Sequence, residues 1–379
     1  MEVGATGPVA PGGQGTPVLN LFLVRPTGFN VGNELIAYVV RRMLRRHFGD
    51  TINLITVPAT VRHDDGWYAG LTARAIHQMN LYAHGVVVGG GNLYENGQLD
   101  VDVHALGRLR PPLLLFSLSY GRIYDQRGRL TPRTDSMPDD VIIELNRQAG
   151  ASLVRDEATL AYLQDLGIGS AVLTGCPTLF LDEMVTPQSE RRPPSDVLIS
   201  VRSPELMSVP LAHQARARVE LRGIVDRLRA CGMTGVRLLC HDKRDLAFAE
   251  SMGDLEYVLP DDVNAYVDIL RQARLVVTFR LHAFVPCLSL GTPTVNISYD
   301  ERSLSLVRTL GLDTWDIDFI REPDVGEVVM DRVARLPDLS TLITRVRPKW
   351  EDLRLRMCDA IAAFAKAVLG YAAEGPGKS

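Results

Sequence analysis

The chain has 379 residues, of which 46% are hydrophobic and 23% charged, with a formal net charge of -4 at pH 7. That length exceeds what one core usually organises and predicts two domains, while the mild acidity excludes nucleic-acid binding through bulk positive charge, so any bound anion must be held by locally placed arginines. No apolar run approaches the roughly 18 to 20 residues of a membrane span, and the five cysteines, Cys176, Cys231, Cys240, Cys287 and Cys358, lack paired spacing and read as reduced thiols of a cytoplasmic protein.

Residues 1–16 are rich in Gly and Pro and lack a basic start followed by an apolar core, so a flexible tail is expected there rather than a secretory signal. β-rich runs then alternate with helical patterns: a strand over 18–24, a helix over 34–47, a strand over 52–57, an amphipathic stretch over 69–83, and strands over 86–88 and 113–116. A helix over 139–148, a strand over 152–154, a helix over 157–166 and a short strand over 171–173 complete a first domain, 17–185. The charged, Pro-rich stretch 186–195 resists regular structure and reads as a linker.

Alternation restarts with a strand over 197–201, a helix over 212–230, a strand over 236–240, a short helix around Leu246, a segment over 263–273, a strand over 275–278, a helix after His282 and a strand over 295–298. These define a second domain, 196–347. A last amphipathic helix near 349–369, opened by Pro348 and closed by Gly370, is expected to pack back across the first domain, with 371–379 as a tail. Such alternation predicts an α/β protein of two Rossmann-like domains facing a cleft.

The sharpest local signal is Val276-Val277-Thr278-Phe279-Arg280-Leu281-His282, an apolar strand that stops at an Arg and a His before a helical pattern. Open α/β sheets bind ligands at the carboxyl ends of their strands, so Arg280, His282 and a helix N-terminus converge on one anion. A buried guanidinium without an anionic partner is costly, and Arg280 must pair internally or bind a ligand. Ser200-Val201-Arg202 places a second cation at the equivalent edge, either for a doubly anionic ligand or in a salt bridge.

Other loops have ordinary and functional readings side by side. Asn30 or Asn33, in Gly28-Phe29-Asn30-Val31-Gly32-Asn33-Glu34, would cap the first helix and line the cleft. Gly89-Gly90-Gly91-Asn92 is a tight turn or a ligand approach, and Tyr94 breaks the dinucleotide fingerprint. Arg155-Asp156 reads as a local ion pair with Asp156 capping a helix, and His241-Asp242 as a contribution to the cleft rim. Asp100-Val101-Asp102 opens a helical segment rather than a metal site. Ser117 to Gly121 lacks the first Gly of a nucleophile elbow, the terminal Gly377-Lys378-Ser379 is no P-loop, and no His/Cys cluster has zinc spacing.

Taken in order, Asn30 to Glu34, Gly89 to Leu93, Ser117 to Gly121, Val154-Arg155-Asp156, Thr174 to Pro177, Val201-Arg202, His241-Asp242 with Asp245, and Phe279 to Ala283 with Leu288 to Tyr299 resemble the polysaccharide pyruvyl transferase family. The resemblance implies a GT-B-like glycosyltransferase architecture. It also implies transfer of an enolpyruvyl-derived unit from phosphoenolpyruvate to two sugar hydroxyls, giving a cyclic pyruvate ketal. Donor binding then falls to Arg202, Arg280, Leu281, His282 and Ser298, with His282 as general acid and Arg280 beside it. Asn30, Asn33, Gly90, Gly91, Asn92, Ser119 and His241 fall to the acceptor side or the cleft.

Phosphoenolpyruvate acts there as co-substrate, and the scheme asks for no metal or resident cofactor. The expected partners are the donor and a sugar or glycan acceptor, with no nucleic acid and at most peripheral membrane contact. Arg41, Arg42, Arg45 and Arg46 would make that contact or form a solvated helix face. Relatives often carry Asp where this chain has Asn33 and Cys176, and a Pro-Lys pair where it has Glu301-Arg302. A nucleotide-sugar-dependent GT-B glycosyltransferase and an inactive carbohydrate-binding homologue remain the alternatives.

Overall fold

The computed structural model describes residues 18–374 apart from 29, 50–51, 62–67, 96 and 186–195. The expected N-terminal tail and the expected linker at 186–195 thus lie outside the described residues. In the first half the order is β1 (Leu19–Arg25), α1 (Val31–Phe48), β2 (Ile52–Pro58), α2 (Ala73–Tyr82), β3 (Gly85–Gly91), α3 (Val103–Leu106), β4 (Leu113–Leu118), β5 (Ile123–Tyr124) and β6 (Leu130–Thr131). Then come α4 (Asp139–Gln148), β7 (Ala151–Val154), α5 (Glu157–Asp165) and β8 (Ala171–Leu173), followed by a 3-10 segment, Pro177–Glu183.

The second half contains β9 (Val197–Ser200), α6 (Leu211–Ala230), β10 (Val236–Leu239), α7 (Leu246–Glu250), β11 (Tyr257–Val258), α8 (Val263–Gln272) and β12 (Leu275–Thr278). It continues with α9 (Leu281–Leu290), β13 (Thr294–Ser298), α10 (Glu301–Thr309), β14 (Ile317–Asp318), α11 (Val325–Ala334) and α12 (Leu336–Glu374). Each half builds one six-stranded parallel sheet, ordered β2-β1-β3-β4-β7-β8 and β11-β10-β9-β12-β13-β14. Parallel sheets covered by helices are buried on both faces, which is why β3, β4, β9 and β12 read as continuous apolar runs rather than alternating ones. The fold is α/β with two Rossmann-like domains facing a cleft.

Both strand orders reverse direction at one place, between β1 and β3 in the first sheet and between β9 and β12 in the second. Loops after these strands diverge to opposite faces and leave a crevice, where such sheets bind ligands. Asn30 follows β1, Asn92 follows β3, Arg202 follows β9 and Arg280 follows β12, so the topology alone brings four sequence candidates to the paired crevices.

Two local expectations change. The glycine triplet does not form a strand-to-helix turn: β3 runs through it, with Gly91 still paired to Leu118. Positive φ at Gly90 (98°) and Gly91 (132°) bends the strand end in a way that L side chains rarely tolerate. The last helix begins at Leu336 rather than at Pro348 and runs past Gly370 to Glu374. Pro348 removes a single backbone donor, and burial of Leu339, Trp350, Leu353, Met357, Ile361 and Phe364 holds the helix on both sides of it.

That helix joins the domains. Near its start Val346 fills the space beside Gly311, and Trp350 Nε1 donates to Leu310 O at 2.8 Å. Further along, Phe364 meets Phe48 edge-on at 6.3 Å, and Val368 lies so near Gly85 that a Cβ there would sit 2.6 Å from it.

Candidate active site in the interdomain cleft

A cleft of about 460 Å³ opens between the two sheets. Its N-terminal wall includes Asn30, Asn33, Asn92 and Arg155, and its C-terminal wall Arg202, His241, Arg244, Arg280, Leu281, His282, Tyr299, Asp300 and Arg302. Asn30 caps α1 by accepting from Gly32 N, and its amide donates across the cleft to Asp242 Oδ2 at 2.8 Å. Val31 N donates to His241 O at 3.0 Å, so the first turn of α1 is tied to the opposite domain.

Arg280 takes the internal pair: its guanidinium meets Asp245 Oδ2, and its Nε donates to Val201 O at 2.9 Å. It still lines the cleft. Arg202 lies 3.5 Å from Asp242 Oδ2 and 3.9 Å from Asp245 Oδ1, and burial together with the nearby Arg280 charge lowers its pKa to about 10. Burial works against ionisation of Asp242, but its hydrogen bonds and charge contact with Arg244, then the charge of Arg280, outweigh it and hold the carboxyl well below the usual range.

His282 opens α9 with a non-helical ψ of 15°. Pro286 lies four residues on and has no N–H for the His282 carbonyl; the Tyr266 hydroxyl donates to that oxygen instead, at 2.6 Å. Burial, then the charges of Arg155, Arg280 and Arg302, press the imidazole pKa down to about 3, so the ring is neutral at pH 7. His241 is buried deeper, with Nε2 at 2.7 Å from Ser200 Oγ, and burial followed by Arg280 lowers its pKa as well.

Other candidates sit behind the lining. Ser298 donates to Asp316 Oδ2 at 2.6 Å and is fully buried, so its hydroxyl is occupied inside the C-terminal domain rather than turned to the cleft. Gly90 and Gly91 form the end of β3 behind the Asn33 side chain, and a Cβ at Gly91 would lie 3.4 Å from Asn33 Oδ1. Ser119 is buried and receives Arg155 Nη2 at 2.5 Å. Cys176 is buried beside Thr178 and lies outside the cleft lining.

Two further cations line the cleft, Arg155 and Arg302, the second at the position where relatives often carry a lysine. Arg155 was expected in a local pair with Asp156; Asp156 does cap α5, but its oxygens serve Thr159 and Ser305, and Arg155 turns towards His282. Arg302 reaches across the cleft to Glu95 Oε2 at 2.8 Å while also meeting Asp300. The pairing of Arg302 with Asp300 is local, but Glu95 lies 207 residues away, which spacing does not announce. Asp102 caps α3, and among the described residues no group of three or more His, Cys, Asp or Glu side chains could hold a metal.

The described residues contain no helix long and apolar enough to cross a membrane. Arg41, Arg42, Arg45 and Arg46 line a separate groove of about 610 Å³ beside α1, where Arg46 pairs with Glu183 at 3.0 Å.

Among solved structures, the UDP-GlcNAc 2-epimerase of Methanocaldococcus jannaschii superposes with a TM-score of 0.55 at 10% identity, covering 84% of this chain and 92% of that one. The UDP-GlcNAc 2-epimerase of Neisseria meningitidis gives 0.52 at 10% identity, covering 95% and 100%. At such identities the likeness is one of fold, and it places the chain in a GT-B-like architecture. No curated protein matches the sequence. The family model for polysaccharide pyruvyl transferase matches residues 30–301, a span that begins at the cap of α1 and takes in every cleft arginine named above except Arg302; the chain belongs to that family.

Proposed function

We propose that the protein transfers the pyruvyl unit of phosphoenolpyruvate to two hydroxyls of one sugar, forming a cyclic ketal and releasing inorganic phosphate. The observation that carries this reading is the convergence of Arg202, Arg280 and the imidazole of His282 in one interdomain cleft. A small ligand with a carboxylate and a phosphate suits a pair of guanidinium forks, and a neutral imidazole among cations is poised to gain a proton once those cations are neutralised.

In this scheme the donor's negative charge raises the His282 pKa, and the ring then gives its proton to the methylene carbon. Positive charge develops at the adjacent carbon. One acceptor hydroxyl adds there, the bond to the phosphate oxygen breaks with its electron pair leaving on phosphate, and the second hydroxyl closes the ketal. Of the two hydroxyl protons, one ends in the new methyl group and the other on phosphate. Asn30, Asn33 and Asn92 suit the acceptor, because amides both donate to and accept from sugar hydroxyls. Seating between two domains keeps water from competing with the acceptor.

The acceptor is a glycan or glycoconjugate met in the cytoplasm, and a lipid-linked one would approach by peripheral contact through the arginine groove beside α1. Calorimetric titration of phosphoenolpyruvate and, separately, UDP-GlcNAc tests the reading. Saturable phosphoenolpyruvate binding that Arg280→Ala abolishes supports it. Binding of the sugar nucleotide alone overturns it and moves the chain to the glycosyltransferases.

A further inference from the structure

β13 ends in Ser298, and Tyr299 follows it directly before Asp300, the cap of α10. Successive side chains of an extended chain point to opposite faces. Ser298 turns into the C-terminal domain, where its hydroxyl donates to Asp316 Oδ2 at 2.6 Å, and Asp300 accepts from Ser303 N at 3.1 Å to start α10. Tyr299, between them, lines the cleft. Both of its neighbours are tied down, so the backbone that carries the ring is fixed from either side.

The phenol is a proton-bearing group that the fold leaves unused. Among the described residues its hydroxyl makes no hydrogen bond, and it is not one of the polar atoms sealed away without a partner, so it opens onto the cleft. Burial and the adjacent Asp300 hold its pKa above the ordinary value against the charges of Arg280, Arg302 and Arg202, and the phenol keeps its proton at pH 7. The carboxylates beside it are committed: Asp242 pairs with Arg244, Asp245 with Arg280 and Asp300 with Arg302. A carboxylate held by an arginine has no proton to give.

The ketal scheme leaves one proton without a carrier. His282 protonates the methylene carbon and is restored by one hydroxyl proton, but the other hydroxyl proton must reach the phosphate. Resting on that reading, we propose that the Tyr299 hydroxyl is the carrier, relaying a proton from the first acceptor hydroxyl to the departing phosphate. As the acceptor oxygen bonds to the carbon beside the new methyl group, its proton passes to Tyr299 Oη, and Tyr299 gives its own proton to the oxygen that bridges that carbon and phosphorus. The carbon–oxygen bond then breaks with its electron pair on the bridging oxygen, and hydrogen phosphate leaves. The second hydroxyl closes the ring and its proton returns to His282. Tyr299 is neutral before and after, as its environment requires.

The test is Tyr299→Phe, which deletes one oxygen and keeps the ring. Because that hydroxyl bonds to nothing in the fold, the melting temperature stays at the wild-type value, and phosphoenolpyruvate affinity by calorimetry changes little. Phosphate release from phosphoenolpyruvate falls, with kcat and kcat/KM dropping together by roughly 100-fold, as for a lost general acid or base that acts only in the transition state. The acceptor probes are the methyl pyranosides of glucose, galactose and mannose, and water alone. Phosphorus NMR of bound phosphoenolpyruvate needs no acceptor: a hydrogen bond to the bridging oxygen sets the resonance in wild type, and Tyr299→Phe moves it.

Wild-type phosphate release by Tyr299→Phe overturns the relay. So does a loss of affinity as large as the loss of turnover, which would make Tyr299 a binding group alone. Where wild type turns over none of the probes, the phosphorus resonance decides, and one unmoved by the substitution overturns the relay while the donor reading stands. Failure of wild type itself to bind phosphoenolpyruvate overturns the donor reading and the relay with it.

Discussion

Gly32 and His282 touch across the domain interface: a Cβ added to Gly32 would lie 2.8 Å from the histidine Cβ and 3.0 Å from its Nδ1. Real Cβ atoms do not come that close, so one of the two elements must shift. Gly32 is on α1, where an Ala side chain carries no backbone penalty of its own. Gly32→Ala therefore displaces His282 without disturbing the arginines. We expect turnover to fall about 100-fold while phosphoenolpyruvate affinity changes little. Equal losses in kcat and affinity would show instead that the whole cleft had moved.

Tyr266 and Pro286 act on the same histidine from the other side. The proline withholds the N–H that would otherwise reach the His282 carbonyl, and the Tyr266 hydroxyl supplies a donor at 2.6 Å. Tyr266→Phe leaves that carbonyl without its hydroxyl donor, which costs about 1–3 kcal/mol. Pro286→Ala returns a backbone donor to α9. The double variant is expected to be more stable than the sum of the single changes, measured by denaturant unfolding, since both bear on one oxygen. Strict additivity would sink this account.

The His282 pKa of about 3 has two consequences of defined sign. A base held below its unfolded value of 6.5 favours the neutral form in the folded state. Its contribution to stability is present above pH 6.5 and is lost as pH falls towards 3, so His282→Asn flattens the acid limb of the stability profile. On the proposed function, donor binding works in the opposite direction, because negative charge in the cleft offsets Arg155, Arg280 and Arg302, the cations that depress the ring. Binding near pH 7 is then accompanied by proton uptake, read from calorimetry in buffers of different ionisation heat. His282→Asn abolishes that uptake and leaves only the proton release of the donor's phosphate as it meets the arginines, and an uptake unchanged from wild type would remove His282 from the proton path.

The parts legible in the sequence are those set by local physics. The runs over 52–57, 139–148, 171–173 and 275–278 match β2, α4, β8 and β12 nearly residue for residue, because β-branched or periodic patterns end at clear breaks. The two-residue strands β5, β6, β11 and β14 carry no such pattern. Pro348 looked like a helix start because its ring restricts the preceding turn, yet the burial of Leu339 and Trp350 outweighs one lost hydrogen bond. Within the cleft, Asn30, Arg202, Arg280 and His282 were visible as polar residues ending strands. Arg155 was not, since its neighbour Asp156 offers a plausible local partner, and the choice between them depends on Ser305, 149 residues away. Ser298 misled for the opposite reason: it follows a strand like the others, but Asp316 and Ser303 claim its hydroxyl.

Asn30 does two jobs with two atoms, and they can be separated. Its Oδ1 accepts from Gly32 N at 3.1 Å and caps α1, while its Nδ2 donates to Asp242 Oδ2 across the cleft at 2.8 Å. Asn30→Asp keeps the cap, since Asp caps as well as Asn, but sets a carboxylate against the ionised Asp242. Asn30→Ala loses both bonds. If the cap dominates, Asn30→Ala is the less stable variant by about 1 kcal/mol and Asn30→Asp stays close to wild type. If the interdomain bond matters for donor binding, Asn30→Asp instead weakens phosphoenolpyruvate affinity more than Asn30→Ala does, because repulsion replaces a hydrogen bond rather than merely deleting it. We expect this second pattern in binding and the first in melting temperature. The Asn30→Asp defect should shrink as ionic strength rises, since the cleft admits solvent and salt screens like charges, whereas the Asn30→Ala defect should not. A salt-independent Asn30→Asp defect would mean that the carboxylate disturbs the first turn of α1 rather than the clasp to Asp242.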